Sequence, residues 1–450
     1  MAFCSLTFGS VVSADLIDFD TKKPDSRIDE GVLLRMCAGL MSVSFYKAPT
    51  AVYRKSRLRY IGGMKTQHLQ DTLREWRHDF HRHPELGFEE HRTSEQVVSL
   101  LTSFGIETHR GIGKTGVVGI LQRGNGTASI ALRADMDALP IQEINAFEYR
   151  SDTEGVMHAC GHDGHTTMLL GAAKYLAESG EFSGRVVFVF QPNEEHGFGA
   201  PAMIEDGLFD HHPADAVYGM HNIPDMKLGT FATRAGPITA SESLFEIEVT
   251  AQGGHAALPH MGVDAIVVGA EIVSALQTIV SRKLNPGLNG VVSVTEFTTD
   301  GGRNVLPGNA KLSGDARALT PEINKTIEAR MRQIVEGVCL AHGVEGKVSY
   351  HTAFPATINN AKCSLSASHA AKSLLGNESV DGECEPKLFS EDFAHMASAR
   401  PGCYVLMGNG TSGSHSQPLH SADYDFNDEL LTIGSSYWVE LVEQELRSDA

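Results

Sequence analysis

One short run of the sequence carries several side chains that can bind a metal ion. Residues 158–165 read HACGHDGH, which places a thiol, three imidazoles and a carboxylate close together. Such donors suit borderline first-row metals such as zinc, manganese, cobalt, nickel or iron. The glycines of this run let the backbone turn tightly, so Cys160 and His162 can face one centre. A single buried cysteine or histidine is more often an ordinary core residue, so this run alone leaves both interpretations open.

Further polar side chains follow β-rich runs elsewhere in the chain. Asp135 comes after ASIALRA, and the pair Glu194 and Glu195 comes shortly after RVVFVF. His221 directly follows DAVYGM, and His420 lies near the carboxyl end. In an open α/β sheet, ligands bind beyond the carboxyl ends of the strands. The joint placement of these groups therefore predicts a metal site.

The two adjacent glutamates can take different roles in such a site. Neighbouring side chains at the end of a strand point apart, so one carboxylate can bind metal while the other faces a water molecule. A base that takes a proton from water and returns it to a leaving amine needs a raised pKa, which a second carboxylate provides. A bound metal would lower the pKa of the water to roughly 7. A solvated acidic pair is the alternative, but an apolar β run leads directly into these residues.

The elements that must position these side chains fall into two groups. Between Met64 and residue 243, strand-like runs at 116–121, 128–134, 185–190 and 215–220 alternate with helix-like runs. This pattern predicts an α/β catalytic domain with a mainly parallel sheet, formed by residues 64–243 and 355–450. Residues 244–354 predict the order β-α-β-β-α-β, an inserted ferredoxin-like domain.

The first residues of the chain differ from the rest. Residues 1–63 show no clear periodicity, and no basic residue precedes the opening apolar stretch, which makes it a poor secretory signal. An amphipathic pattern begins at Met64, with Leu69, Leu73 and Trp76 on one face. We therefore expect a poorly ordered extension over residues 1–63, and a chain beginning at Met64 to be soluble and active.

The composition excludes several kinds of protein. Lysine and arginine number 37 and acidic residues 56, so the formal net charge is −19. Such a charge disfavours binding to nucleic acid or to an acidic membrane surface. We see no uninterrupted apolar run of the ~18 residues that a membrane span needs. Seven cysteines without regular spacing favour free thiols in a reducing compartment, so we expect a cytoplasmic protein.

Several separated motifs together resemble one known family. RADMDALP, HACGHDGH, QPNEE, GMH, GGHAALPH, SEDF and PLH occur in this order. They resemble the M20 metallopeptidases, specifically the amidohydrolase branch of hippurate hydrolases, N-acyl-amino-acid hydrolases and plant-type auxin-conjugate hydrolases. The similarity runs over residues 71–445. It implies a zinc-peptidase-like catalytic domain with an inserted lid or dimerisation domain.

The resemblance also implies roles for individual residues. Two divalent ions (manganese, zinc, cobalt or nickel) would be held by Cys160, His162, Glu195, His221 and His420. Glu194 would act as general base and acid, and His255 would stabilise the oxyanion. Asn304 and Arg317 would bind the carboxylate of the substrate, although the arginine equally fits a structural salt bridge.

Other charged residues near these motifs are assigned supporting roles. Other branches of the family carry a histidine where this chain has Asp135, so Asp135 is not counted as a ligand. Asp137 matches an aspartate that orients a metal-binding histidine. His158 and His165 are interpreted as structural, as are Glu391 and Asp392, which are expected near His420.

The leading interpretation is a metal-dependent amidohydrolase that cleaves N-acyl or N-aroyl amino acids, hippurate-like substrates above all, with a metal-activated water. Alternatives within the family are a deacetylase of an N-acetylated amino acid such as N-acetyl-diaminopimelate, and a dipeptidase. Alternatives outside it are a binding protein that has lost catalysis and a thiol redox protein using Cys160. The substrate would be a small molecule. Family members often pair through the lid, so we expect a homodimer or homotetramer, with no nucleic-acid or membrane partner.

Overall fold

The structure is a computed structural model that describes residues 63–447. The predicted extension over residues 1–63 therefore lies outside the described residues, apart from Gly63. The α-helices are α1 (Gln70–Arg82), α2 (His91–Ser103), α3 (His162–Ser179), α4 (Gly199–Glu205), α5 (Leu208–His211), α6 (Ala265–Thr278), α7 (Pro321–His342), α8 (Ala361–Leu375), α9 (Phe393–Ala399) and α10 (Leu430–Glu445).

A large mixed sheet forms the centre of the molecule. Its strands are β1 (Glu107–Ile112), β2 (Gly116–Arg123), β3 (Ser129–Asp135), β4 (Gly184–Gln191), β5 (Ala216–Pro224), β6 (Phe231–Ala232), β15 (Val380–Asp381) and β16 (Gly402–Gly410). They lie in the order β1-β2-β4-β3-β5-β16-β6-β15. The four central strands, from β4 to β16, are mutually parallel.

Alternate residues of the central strands enter two different cores. Along β4, Val186, Phe188 and Phe190 pack in a core that includes residues of α3 and α10. Val187 and Val189 pack in a second core with residues of α4 and α9 on the opposite face of the sheet. Because both faces are covered, these strands read as nearly continuous apolar runs.

The sheet is mixed, with the predicted parallel strands at its centre and antiparallel pairings towards its edges. The pairings of β1 with β2, β2 with β4 and β16 with β6 are antiparallel. Only Gly113, Lys114 and Thr115 separate β1 from β2. A parallel crossover needs a dozen or more residues, so this connection permits only a hairpin.

A second, four-stranded sheet has the predicted β-α-β-β-α-β order. It consists of β8 (Ser241–Thr250), β10 (Gly290–Thr299), β12 (Asn309–Ala318) and β13 (Glu345–Phe354). The spatial order is β10-β12-β8-β13, antiparallel throughout, which is the ferredoxin-like arrangement. Helices α6 and α7 share a separate apolar core with this sheet.

Short elements complete the fold. The remaining strands are β7 (Gly236–Thr239), β9 (Gly254–His255), β11 (Val305–Leu306) and β14 (Thr357–Asn359). The short 3-10 helices are Gln67–Leu69, Pro259–Met261, Asn377–Ser379 and Gly413–Ser416, and a π-helical turn at Ile279–Lys283 continues α6.

One described helix, Ala265–Lys283, is long and apolar enough by length and composition to cross a membrane. Its residues Val268, Ile272 and Leu276 are buried in the core of the small sheet. Ile266, on the opposite side, is exposed. A core helix of a small domain passes the same test, and the buried face of this helix agrees with that interpretation.

Candidate active site

The polar groups that follow the β-rich runs converge at one edge of the large sheet. Asp135 is the last residue of β3, Glu194 and Glu195 follow the end of β4, and His221 lies in β5. His162 is the first residue of α3. Since β3, β4 and β5 are parallel neighbours, their carboxyl ends meet at this edge.

The thiol of Cys160 lies beside the imidazole of His221. The distance from Cys160 Sγ to His221 Nε2 is 3.3 Å, and both side chains are buried. His221 Nδ1 lies 2.7 Å from the backbone oxygen of Asn222, to which it can only donate. The Nε2 atom is then left without a proton, so its lone pair faces the thiol.

His162 is oriented in the same manner by a different partner. Its Nδ1 lies 2.9 Å from the backbone oxygen of Asp137 and 3.2 Å from Asp137 Oδ1. The contact implied for Asp137 by the resemblance is therefore present. The buried Nε2 has no hydrogen-bond partner within residues 63–447 and lies 4.0 Å from Glu195 Oε1. A buried nitrogen of this kind needs a partner.

Glu195 connects the remaining ligand candidates. Its Oε2 lies 3.4 Å from His420 Nε2, and its buried Oε1 has no hydrogen-bond partner in the described part of the chain. The Glu195 N–H donates to Asp137 Oδ2 at 3.1 Å. The backbone of His420 has a φ of 64°, and its N–H donates to the oxygen of Ala159 at 2.8 Å. The loop carrying His420 is thereby fixed next to Cys160.

The donor set fits two cations. Cys160, His162 and His221 form one group whose ligand atoms lie within 4.8 Å of one another, and Cys160, Glu195 and His420 form a second. Cys160 belongs to both groups and Glu195 faces both, which suits a pair of ions that share ligands. The five ligands implied by the resemblance are thus brought together.

The electrostatics of the cluster also favour bound cations. Burial raises the pKa of the Cys160 thiol, and the carboxylates of Glu195 and Glu194 raise it further. Burial lowers the pKa of the His162 imidazole, but the carboxylates of Asp135 and Asp137 outweigh burial and raise that pKa to about 10. Both shifts express a concentration of negative charge, which a divalent cation would balance.

Glu194 lies within reach both of Glu195 and of a second group of carboxylates. Its carboxylate oxygens lie within 4.8 Å of those of Glu391 and Asp392, and the Asp392 N–H donates to Glu194 Oε1 at 3.4 Å. Burial raises the pKa of Glu194, and the charge on Glu391 raises it further, whereas Arg133 lowers it. A carboxyl group with a raised pKa can exchange a proton near neutral pH.

Arg133 organises this second group and was not identified from the sequence. Its buried guanidinium lies 2.7 Å from Asp135, 2.9 Å from Glu391 and 2.9 Å from Asp392, and it donates to Gln191 at 2.8 Å. An arginine inside the apolar run SIALRAD was the available signal, because a buried charge must be paired. Glu391 and Asp392, predicted near His420, both contact Arg133, and Glu391 lines the same cavity as His420.

Asp135 and His165 are hydrogen-bonded to each other. Asp135 Oδ1 lies 2.6 Å from His165 Nδ1, and His165 Nε2 lies 2.8 Å from Asn222 Oδ1. Arg133 contacts its other oxygen, and Asp135, His162 and His165 also form a group whose ligand atoms lie within 4.8 Å of one another. His158 is buried, burial lowers its pKa to about 4, and neither of its nitrogens has a hydrogen-bond partner in the described range.

A buried ion pair fixes the loop that carries Cys160. Arg77 of α1 donates to Asp163 Oδ2 at 2.9 Å, and His81 Nδ1 lies 2.9 Å from the same oxygen. These charges hold the pKa of Asp163 well below its usual range, although burial opposes them. The start of α3 is therefore tied to the first helix of the domain.

A cavity of about 1000 Å³ opens onto the cluster. Its apolar wall is formed by Ile223, Pro224, Phe354, Leu388, Phe389, Pro418 and Leu419. Cys160, Glu194, Glu195, His221 and His420 line it as well. An extended small molecule with an apolar group would fit beside the ligands.

The structure places His255 and Asn304 elsewhere. Among the described residues, those that line the cavity do not include either of them. His255 is exposed on β9, which pairs with β11. The N–H of Ala256 donates to the backbone oxygen of Asn304 at 3.0 Å. These two candidates are therefore brought next to each other beside the small sheet.

Arg317 lines the cavity but is already paired. Its guanidinium lies 3.0 Å from Glu242 and 2.8 Å from Asp315, and it donates to Ser390 Oγ at 3.1 Å. This arrangement favours the structural salt bridge, the alternative that the sequence left open.

Comparisons with known proteins agree with the geometry. The profile of peptidase family M20/M25/M40 matches residues 131–444. A hippurate hydrolase of Campylobacter jejuni is 41% identical over 373 residues, which cover 83% of this chain and 96% of the relative. An N-acetylcysteine deacetylase of Bacillus subtilis is 37% identical over 368 residues, covering 81% and 94%. A solved Bacillus subtilis structure, described as a dinuclear metal-binding peptidase from the M20 family, has 31% identity and a TM-score of 0.74, covering 84% and 99%.

Proposed function

The chain belongs to peptidase family M20/M25/M40, and from that premise we propose that it hydrolyses N-aroyl amino acids of the hippurate type. It is a metal-dependent amidohydrolase that acts on N-acyl amino acids, with two divalent ions per subunit. The family resemblance read from the motifs is confirmed by the family match.

One observation carries the proposal. Cys160, His162, Glu195, His221 and His420 converge, and two buried atoms among them, His162 Nε2 and Glu195 Oε1, have no hydrogen-bond partner in the described part of the chain. Glu194 lies at the edge of this cluster and at the wall of the cavity. Burial and the charge on Glu391 raise the pKa of the Glu194 carboxyl, which supports a role in proton transfer.

The positions of Glu194, Asp392 and Arg133 support two successive proton transfers. When bound, the metal ions polarise the scissile carbonyl and make hydroxide available near neutral pH. Glu194 takes the proton from the attacking water and passes it to the leaving amine, while the Asp392 N–H holds its Oε1. Arg133 keeps the surrounding carboxylates fixed, so Glu194 has one preferred orientation.

The apolar wall of the cavity supports an aromatic acyl group. The Phe389 ring lies 6.4 Å, centroid to centroid, from the ring of His221, beside the ligand cluster. The identity to a hippurate hydrolase points to the same class of substrate. The identity to an N-acetylcysteine deacetylase favours a second candidate, the removal of an acetyl group from an N-acetyl amino acid.

We also propose that His255 and Asn304 complete the site after closure of the small domain or from a second copy of the chain. His255 would then stabilise the oxyanion. Exposed apolar residues near these side chains support pairing through this region; they are Leu258, Met261, Ile266, Val267 and Val305. A homodimer is the simplest assembly that would cover them.

A substrate panel tests the proposal. The protein is loaded in turn with manganese, zinc, cobalt and nickel, and hydrolysis of benzoylglycine, N-acetylcysteine, N-acetyl-diaminopimelate and a dipeptide is followed by release of the free amine. We expect benzoylglycine to have the highest kcat/KM and chelation to abolish turnover. Turnover of the acetylated amino acids alone would establish the deacetylase instead, and no metal-dependent turnover of any substrate would refute both.

A further inference from the structure

The turn that carries Glu194 and Glu195 has an unusual backbone. Asn193, directly before Glu194, has a φ of 47°, in the left-handed region that side chains other than glycine seldom adopt. Asn193 is also buried. A conformation of this kind costs on the order of 1 kcal/mol and persists only where its surroundings hold it.

Three polar groups of Asn193 have hydrogen-bond partners. Its N–H donates to Glu90 Oε1 at 2.9 Å, and its backbone oxygen accepts from the Gly199 N–H at 3.1 Å. Its Oδ1 lies 2.9 Å from His196 Nδ1. A Cβ atom added to Gly87 would lie 2.0 Å from Asn193 Oδ1, so position 87 has no room for a residue larger than glycine.

A buried carboxylate such as Glu90 is an unusual hydrogen-bond partner for a backbone N–H. It is fully buried, its second oxygen accepts from Thr115 Oγ1 at 2.5 Å, and it makes no ion pair within the described residues. Burying a carboxylate without a cation is costly. A carboxylate accepts a stronger hydrogen bond from a backbone N–H than a neutral oxygen does. Burial and the charge of Asp137 raise the pKa of Glu90 to about 7, whereas the hydrogen bonds from Thr115 and Asn193 oppose that rise. The bond to the turn at Asn193 thus favours the charged form of Glu90.

The direction of this turn determines what each glutamate contacts. Glu194 lies beside Glu391 and Asp392, and Glu195 lies beside His162 and His420, while one oxygen of each glutamate stays within 4.8 Å of the other. A rotation of the peptide between residues 193 and 194 would move both carboxylates away from these partners.

We propose that Glu90 is a positioning residue whose carboxylate holds the Asn193 N–H, so that Glu194 and Glu195 are directed to the base position and to the metal position. The inference rests on the proposed function for the role of Glu194, but its effect on Glu195 concerns metal binding alone. Binding of manganese can therefore be measured whether or not any substrate is turned over.

The experiment compares manganese titrations of the wild-type protein with those of Glu90→Ala, Glu90→Gln and Thr115→Val. We expect Glu90→Ala to weaken manganese binding about tenfold or more, because misplacing a ligand by ~1 Å has effects of this size or larger. Glu90→Gln retains an oxygen that can accept from Asn193, so we expect it to recover most of the affinity. Thr115→Val leaves the bond to Asn193 in place and should bind manganese as the wild type does.

A second variant covers the case in which Glu90→Ala does not fold. Gly87→Ala keeps Glu90 but pushes against Asn193 Oδ1, and we expect it to weaken manganese binding as well. If folded Glu90→Ala binds manganese with wild-type affinity, or if Gly87→Ala does so when Glu90→Ala cannot be obtained, the positioning role is refuted. With benzoylglycine at saturating manganese, kcat should fall about tenfold to a hundredfold in Glu90→Ala, with KM nearly unchanged. If the wild type binds manganese but cleaves no acylated amino acid, the proposed function fails while the titrations still decide the role of Glu90.

Discussion

The two regions that the reaction would use are built in opposite ways. At the edge of the large sheet, Cys160, His162, His221 and Glu194 are buried, Glu195 is partly buried and His420 is exposed at the rim; Cys160 lies 3.3 Å from His221. Beside the small sheet, His255 is exposed, and Val305, its strand partner, is exposed too. Folding of one chain assembles the first region. The second region needs closure or a second copy to bring its side chains to the substrate.

The largest expected effect lies in the buried region. Glu194→Gln should lower kcat for benzoylglycine by about 10³-fold or more, because an amide cannot carry the proton from water to the amine. Bound metal should stay unchanged, since Glu195 remains in place. Glu205→Gln, on the exposed end of α4, is the matched control. Activity of Glu194→Gln within tenfold of the wild type would contradict the assigned base.

Removal of a shared ligand should affect metal content first. Cys160→Ala removes the thiol that lies within reach of both ligand groups, so we expect elemental analysis to find less than the wild-type content of about two ions. Turnover should fall on the order of a hundredfold at limiting metal and recover in part with excess metal. Cys384→Ala, outside the cluster, should change neither quantity. Full metal occupancy in folded Cys160→Ala would remove the thiol from the ligands.

His255→Ala probes the exposed region directly. We expect kcat to fall about a hundredfold with metal content unchanged, because a lost oxyanion donor acts on the transition state alone. The neighbouring exposed histidine, His260, provides the control variant His260→Ala. If His255→Ala turns over substrate at the wild-type rate, His255 does not stabilise the transition state. The proposed contribution of the small sheet to the chemistry is then refuted.

The smallest effect concerns pH. Burial and the charge of Glu391 raise the pKa of Glu194, and the base works only when it is deprotonated, so activity is lost as pH falls through that pKa. Glu391→Gln removes one raising charge, so the acid limb of kcat should move to lower pH by about one unit or less. Glu383→Gln, an exposed neighbour, should leave the profile in place. A shift to higher pH would show that loss of the contact with Arg133 dominates.

The convergence of the ligands could be predicted because strand direction alone determines it. Parallel strands put the residues after β3, β4 and β5 at one edge, and the glycines around Cys160 leave room for the turn into α3. The β-α-β-β-α-β order was equally visible, because the periods of its strands and helices are distinct. The β-rich runs, the helix periods and the glycines are all visible in the local sequence.

The groups that tune the base could not be predicted in this way. Arg133 meets Glu391 only because β3 and the segment before α9 come together in the folded chain. Glu90 reaches Asn193 across more than a hundred residues of sequence. Neither contact leaves a periodic signal, and both depend on tertiary packing. For the same reason, the sequence left both a substrate-binding role and a salt bridge open for Arg317, whereas the structure shows its partners to be Glu242 and Asp315.

The central claim is that five side chains of this chain hold two cations next to Glu194. A crystal structure of the manganese-loaded protein, with anomalous scattering measured at the manganese edge, tests it most directly. We expect two anomalous peaks about 3.5–4 Å apart, contacted by Cys160, His162, Glu195, His221 and His420. Peaks at other residues, or none at this cluster in fully loaded protein, would contradict the account.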